Sequence, residues 1–391
     1  MKTPRLLTAL ALLASLTSAF AQLNIPAANG SDLAFNPTAN VEVDLSNAVP
    51  GDALTYSNSG VAGADRGRGI YDAARWVVVY KYSSVNIPTG VTVTFKNHPS
   101  YAPVVWLVQG SVNIAGTVSM SGKGVATGPA AGVPTEPGPG GFRGGAAGPS
   151  GNGAGLGPGG GNTQNAFGYN TVYGNPQIIP LIGGSGGAGV SGTTTGESGA
   201  GAILIATPTT VAVSGAITAQ PIHTVGWGGT GGAIKLIADQ VNGTGTLNAS
   251  TTGRVRIEAN TLANSIVTTP STIAVQPGIG ATPTLFQSLS SPTVKIVSVD
   301  GLPSPVDPTA PLVSAADIAI QKNTPVTIVL RTENFATAGA VVALRIANKY
   351  GGATTLNATL QGGGTTTLST WTLSTTLAPG FVTLQARATQ P

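Results

Sequence analysis

Short runs of β-branched and aromatic residues, broken by Gly and Pro, set the pattern of the chain. Trp76-Val-Val-Val-Tyr-Lys-Tyr82 and Val91-Thr-Val-Thr-Phe95 are such runs and predict strands. A two-part unit then begins: Val104-Val-Trp-Leu-Val-Gln-Gly110 is followed by Val112-Asn-Ile-Ala-Gly-Thr-Val-Ser-Met120. It returns as Ala202-Ile-Leu-Ile-Ala206 with Val211-Ala-Val-Ser-Gly-Ala-Ile-Thr-Ala219, and as Ala233-Ile-Lys-Leu-Ile-Ala238 with Val241-Asn-Gly-Thr-Gly-Thr-Leu-Asn-Ala249. Arg254-Val-Arg-Ile-Glu-Ala259 opens a further turn. Ala202 to Ala233 is a step of 31 residues and Gly215 to Gly245 a step of 30, while Ala233 to Gly253 is only 20.

Units of a few tens of residues, each with an apolar face it cannot bury alone, are what a stacked coil requires. The fold class expected is therefore all-β: a right-handed parallel β-helix-like solenoid over 76–301, behind an N-terminal cap region at 22–75. A pair of antiparallel sandwiches is the alternative, because the repeat is imperfect. Within the body, the 80 residues from Gly122 to Gly201 hold 28 of the 56 Gly. Their spacing breaks the three-residue rule of collagen, and the absence of Asp excludes calcium-binding nonapeptide rolls. This Gly-rich excursion is expected to be either mobile or packed as extended chains in close backbone contact, with Tyr169, Tyr173 and Ile178-Ile-Pro-Leu-Ile182 docking its second half.

Residues 302–311, with four Pro in ten, read as a stiff linker. Beyond it, over 312–391, the alternation is that of half-buried strands: Val326, Ile328 and Leu330 on one face, then Val342, Leu344 and Ile346, then Val382, Leu384 and Ala386. Arg331, Arg345 and Arg387 fall on the outward face of this C-terminal immunoglobulin-like β-sandwich.

Several stretches resemble a group of Gly-rich secreted bacterial proteins to which no activity is assigned. They are Phe95-Lys-Asn-His-Pro-Ser100, Ala102-Pro-Val-Val-Trp-Leu-Val-Gln-Gly110, Pro137-Gly-Pro-Gly-Gly-Phe142, Tyr173-Gly-Asn-Pro176 with Pro180-Leu-Ile-Gly-Gly-Ser-Gly-Gly187, and Pro292-Thr-Val-Lys-Ile-Val-Ser298. The resemblance implies an exported, β-rich protein. A looser likeness to β-helical passenger and adhesin proteins rests on fold alone.

The N-terminus changes the picture of location. Lys2 and Arg5 precede an apolar run from Leu6 to Leu16, and Ala19-Phe-Ala21 is a cleavage pattern, so 1–21 reads as a signal peptide. The run is too short to span a bilayer. The expected location is secreted or at the cell surface, with the periplasm as a further compartment, and with no transmembrane segment once the signal is removed. Without Lys2 and Arg5 the net charge falls from +4 to +2, and the remaining cations are scattered, which excludes nucleic acid as a partner. Charged residues are 8% of the chain, so the surface is largely Gly, Ser, Thr, Asn and Gln, and the absence of Cys removes disulfides and thiolate metal sites together.

Catalytic constellations are thin. Gly183-Gly-Ser185-Gly-Gly187 matches the Gly-x-Ser-x-Gly string of serine hydrolases, but Ala188-Gly-Val-Ser-Gly192 cannot sustain the helix that motif needs. His98 and His223 are the only His, too far apart in sequence from each other and from clustered carboxylates to suggest a metal site. A polysaccharide lyase or hydrolase would need acids and bases converging on one side of neighbouring coils, for which the body offers Asp239, Glu258, Lys235, Arg254 and Arg256. Calcium is the one cofactor considered, at Asp65 and Asp72 within Asp65-Arg-Gly-Arg-Gly-Ile-Tyr-Asp72, against a salt-bridged cap over the first coil. Thr-x-Thr pairs at 92/94 and 244/246 could face ice or glycans, yet in sequence they do not recur at a fixed place in the repeat. Tyr169, Tyr173 and Trp227 are the candidate ligand-binding aromatics, with glycans or cell-surface components as the expected partners. The whole reads as an exported, non-enzymatic structural or adhesive protein, with the β-helical polysaccharide enzyme as the alternative.

Overall fold

The structure, a computed structural model, describes residues 22–56, 65–124, 127, 132–148, 151–161, 173–190, 192–222, 228–272, 274–308, 315–362 and 364–390. The signal-like segment 1–21 lies outside the described residues. The fold is all-β with curled sheets, and it includes the short 3-10 turn Leu45–Asn47.

Three parallel ladders organise the body. The first joins Val77–Tyr80, Val104–Leu107, Ala202–Ala206 and the leading halves of Ala233–Gly243 and Arg254–Asn264. The second joins Ser84–Ile87, Val112–Ile114, Thr210–Val213 and the trailing halves of the same two long strands. Because those strands run through both, the first two ladders belong to a single 11-stranded sheet. The third is a separate six-stranded sheet of Val41–Asp44, Thr92–Lys96, Thr117–Ser119, Ala216–Thr218, Thr246–Asn248 and Val267–Thr269.

Alternation turns one side of every ladder to a shared interior. Val78, Val104, Ile203 and Ile234 from the first ladder meet Val85, Val112, Val211 and Val241 from the second and Val93, Val118, Ile217 and Leu247 from the third in one buried cluster. The first ladder is covered on its other side as well. There Val79, Val105, Leu204 and Ile237 pack under Leu23, Ile25, Ile178, Leu181 and Leu285. Burial on both faces is why Val77–Tyr80, Val104–Leu107 and Ala202–Ala206 are unbroken runs with no charged residue. Asn24 fastens this cover, its N–H donating to Ala281 O and its Nδ2 to Thr282 Oγ1, both at 2.9 Å.

The alternative of antiparallel sandwiches in the body does not fit this pairing, since the ladders are parallel. The right-handed parallel β-helical solenoid is not confirmed either: the strands establish curled sheets, one of which carries two ladders, because the 11-residue strands Ala233–Gly243 and Arg254–Asn264 pass from one to the next without a break.

The described parts of the Gly-rich excursion are packed extended chains. Phe142 and Gly145 N–H donate to Gly184 and Gly187 O at 2.9 and 2.8 Å, a parallel contact. Gly184 and Gly187 donate in turn to Ala200 and Glu197 at 2.7 and 2.8 Å, and Gly199 and Gly196 close the triangle onto Phe142 and Gly145 at 2.9 and 2.8 Å. Gly186 and Gly189 reach a further chain at Leu156 and Gly153, at 3.0 and 2.9 Å. Successive bonds to any one neighbour are three residues apart, the repeat of a polyproline-II turn rather than the two of a strand. No side chain fits between such chains: a Cβ on Gly186 would lie 2.0 Å from Arg143 O, and one on Gly199 1.8 Å from Gly184 O.

The C-terminal sheets are antiparallel. One orders Leu302–Pro303, Thr293–Val299, Val326–Glu333, Leu368–Thr375 and Thr359–Gln361; the other orders Ala353–Asn357, Val341–Asn348 and Val382–Thr389. Ile328, Leu330, Val342, Leu344 and Trp371 fill the space between them. Thr293–Val299 precedes the Pro-rich run, and Leu302–Pro303 inside that run is an edge strand. Arg345 does not face open solvent as its alternation suggests. Its guanidinium is half-buried and donates to Gly160 and Gly161 O at 3.5 and 3.4 Å, while Ala347 packs on Ala154 and Leu156 of the Gly-rich chains.

Candidate functional site

Of the three candidate aromatics, Tyr169 and Trp227 lie outside the described residues, as does His223. Tyr173 is placed. It stands in a cleft walled by Ile178, Ile182, Thr230, Thr252 and Arg254, and its hydroxyl donates to Gly183 O. Loss of hydration pushes the phenol up to about 12, so it remains a neutral donor. The other polar groups of the cleft serve the backbone too: Arg254 donates to Gly174 O at 3.3 Å, Asn175 Nδ2 to Ile179 O at 2.5 Å, and Thr252 Oγ1 accepts from Gly231 N at 2.9 Å.

Asp65 and Asp72 have separate partners. Asp65 pairs with Arg68 at 2.8 Å. Asp72, nearly inaccessible, accepts from Ala53 N at 2.8 Å, from Arg75 N at 3.1 Å and from the Arg75 guanidinium at 2.5 Å. Arg75 also reaches Asp52 at 3.0 Å, and with the N–H groups of Leu54 and Thr55 it holds the Asp52 carboxyl down to about 2. On Asp72 these donors reach both carboxylate oxygens, whereas Asp65 pairs through Oδ1 alone. Among the described residues no three His, Asp or Glu side chains gather to hold a metal.

Ser185 sits inside the Gly-rich bundle, fully buried, with Oγ accepting from Gly159 N at 3.0 Å and its own N–H donating to Thr230 Oγ1 at 2.6 Å. His98 is tied elsewhere: Nδ1 lies 2.8 Å from Ser100 Oγ and accepts from Ser100 N at 3.1 Å, and the ring stacks on Tyr71 at 4.0 Å. Burial lowers its pKa. Asp239 and Glu258, on the same face of adjacent strands, have different partners. Asp239 accepts from Asn260 Nδ2 at 2.9 Å, whereas Glu258 bridges Arg256 at 2.5 Å and buried Lys235 at 3.3 Å.

Sequence reasoning missed an aligned array of Thr on the surface. In the third ladder Thr92, Thr117, Ala216, Thr246 and Val267 are aligned strand by strand. Two residues on, Ser119, Thr218, Asn248 and Thr269 are aligned likewise, with Thr94 following Val93 into the same row. The inward column between the rows is Val93, Val118, Ile217 and Leu247, all fully buried, so both rows face outward. Thr246 belongs to this array, but Thr244 does not, which is why spacing in sequence concealed it.

No protein-family model matches the chain, and neither a curated protein nor a solved structure matches it. Among the described residues, no helix is long and apolar enough to cross a membrane.

Proposed function

We propose that this is an exported, non-enzymatic structural or adhesive protein of the cell surface or extracellular space, built on a parallel β-helical body. The observation that carries the reading is the order in which the chain visits the ladders. First, second and third follow one another through 77–96, 104–119, 202–218, 233–248 and 254–269, always around the same interior. Five passes of that kind are what successive coils of a solenoid produce, with the Gly-rich bundle inserted between the second and third. Such a body offers a sparsely charged exterior suited to display, and its partners are glycans or other cell-surface components. The rival, a polysaccharide lyase or hydrolase, asks for acids and bases free to meet a substrate, whereas Glu258 is engaged by Lys235 and Arg256, and Asp239 by Asn260.

Fractionation of cells producing the tagged chain tests the location, and incubation of the purified chain with cells and with a panel of polysaccharides tests the activity. Recovery from the medium or surface fraction, with cell binding and no new polysaccharide ends, is the expected result. Retention in the cytosol, failure to bind, or release of shortened polysaccharide would overturn it.

A further inference from the structure

The outward face of the third ladder is uncharged, like that of the second at Asn86, Asn113, Ala212 and Asn242, but it is the one built largely of Thr. Its two rows hold ten positions: Thr92, Thr117, Ala216, Thr246 and Val267, then Thr94, Ser119, Thr218, Asn248 and Thr269. None carries a charge, none is aromatic, and none is buried. Charge appears only where the end strand joins, at Glu42 beside Thr94 and at the Asp44–Lys96 pair. Among the described residues the hydroxyls of Thr92, Thr117, Thr218, Thr246 and Thr269 make no hydrogen bond within the protein, so they are presented to the outside. Parallel strands place neighbours in each row about 4.8 Å apart, and the two rows about 6.6 Å apart.

Thr supplies a hydroxyl that both donates and accepts, next to a methyl, on a side chain whose first torsion is restricted. One hydroxyl exchanging one water for another gains almost nothing. The seven hydroxyls of the two rows, engaged at once, are different, because after the first contact the rest become intramolecular. Only a partner with a repeating lattice of its own can meet every position simultaneously. A lattice of sugars would present ring faces, for which the rows lack the aromatic side chains that make large apolar contacts. An ionic lattice would need charge. A water lattice needs neither.

We propose that this face binds ice. The inference rests on the strand register and not on export or adhesion, and a purified chain tests it wherever the protein resides. The full-length chain, in dilute solution, is frozen slowly against a cold surface, and its concentration is compared in the ice and the remaining liquid, with suppression of ice recrystallisation as a second readout. The expected result is enrichment in the ice relative to a non-binding control protein. Thr117→Lys and Thr218→Lys, at the centre of the array, should lose that enrichment. Asn113→Lys, on the exposed outward side of the second ladder, should keep it. Circular dichroism checks the fold of each variant, and Thr246→Lys, at the most exposed hydroxyl, gives the same reading if a half-buried position does not tolerate lysine. Exclusion of the wild-type chain from ice, equal enrichment of folded Thr variants, or retention on crystalline cellulose or chitin without retention in ice would each overturn the proposal.

Discussion

Replacing Gly186 by Ala tests the Gly-rich bundle directly. The new Cβ would stand 2.0 Å from Arg143 O, 2.4 Å from Arg143 C and 2.6 Å from Gly144 N, all backbone atoms that no rotamer change can move aside. The chains must therefore separate by about 1 Å, which overpacks the site at a cost of about 1–3 kcal/mol. Three hydrogen bonds share that contact: Gly186 N to Leu156 O at 3.0 Å, Gly161 N to Gly186 O at 3.1 Å and Leu156 N to Arg143 O at 2.9 Å. Weakening two of them adds about 2 kcal/mol, and the entropy that Ala removes from the unfolded chain returns only about 0.4–1 kcal/mol. The net expectation is a loss of about 2–4 kcal/mol. Gly192→Ala is the control in the same stretch: its φ is +70° and a Cβ there meets nothing within 4 Å, so it carries only the left-handed backbone cost of about 1–2 kcal/mol. Hydrogen exchange of the 142–145 and 184–189 amides, read beside urea unfolding, would register local opening in Gly186→Ala and not in the control. Equal or smaller loss for Gly186→Ala, or a gain in stability, would refute the close-packed account, because in a mobile segment Gly→Ala is stabilising.

Two further perturbations probe charge. The Asp52 carboxyl is held near 2 rather than 3.8 by Arg75 and two backbone amides, so its contribution to stability is fully present above pH 3.8 and is lost as pH falls through about 2; the melting temperatures of wild type and Asp52→Asn should differ at neutral pH and converge in strong acid, and a pH-independent gap would contradict this. Lys235→Met removes a buried cation whose pKa burial already lowers, and by urea unfolding it should lie within about 1 kcal/mol of wild type, whereas Glu258→Ala strands that cation and should cost about 3–5 kcal/mol; comparable losses would refute the assignment.

Much of the body was legible in the repeat. Steps of 31 and 30 residues reappear as the pairs Ala202 with Ala233 and Val211 with Val241, and the shorter step to Arg254 as its pairing with Ala233. The alternation around Val342 and Val382 likewise marks two strands paired in one C-terminal sheet. Three features were hidden, each for its own reason. The cover over the first ladder joins segments far apart in sequence, Leu23 and Leu285 among them, that no local pattern connects. The Gly-rich bundle distributes its three-residue periodicity over bonds to different neighbours, so the letters show only abundance of Gly. The Thr array requires strand register, and coils of unequal length erase that register from any count along the chain.

The clasp between Asn24 and residues 281–282 carries a consequence for how the molecule is made. A polypeptide emerging amino end first presents Leu23 and Ile25 at the outset, yet the residues that hold them arrive only after some 258 more have appeared. Closing so long a span is slow, and until it happens the outer side of the first ladder is covered only in part, by Ile178 and Leu181. Synthesis that stops short of residue 281 leaves a product with its oldest segment adrift, greasy and sticky, which ties the protein's survival to completion of its distant half.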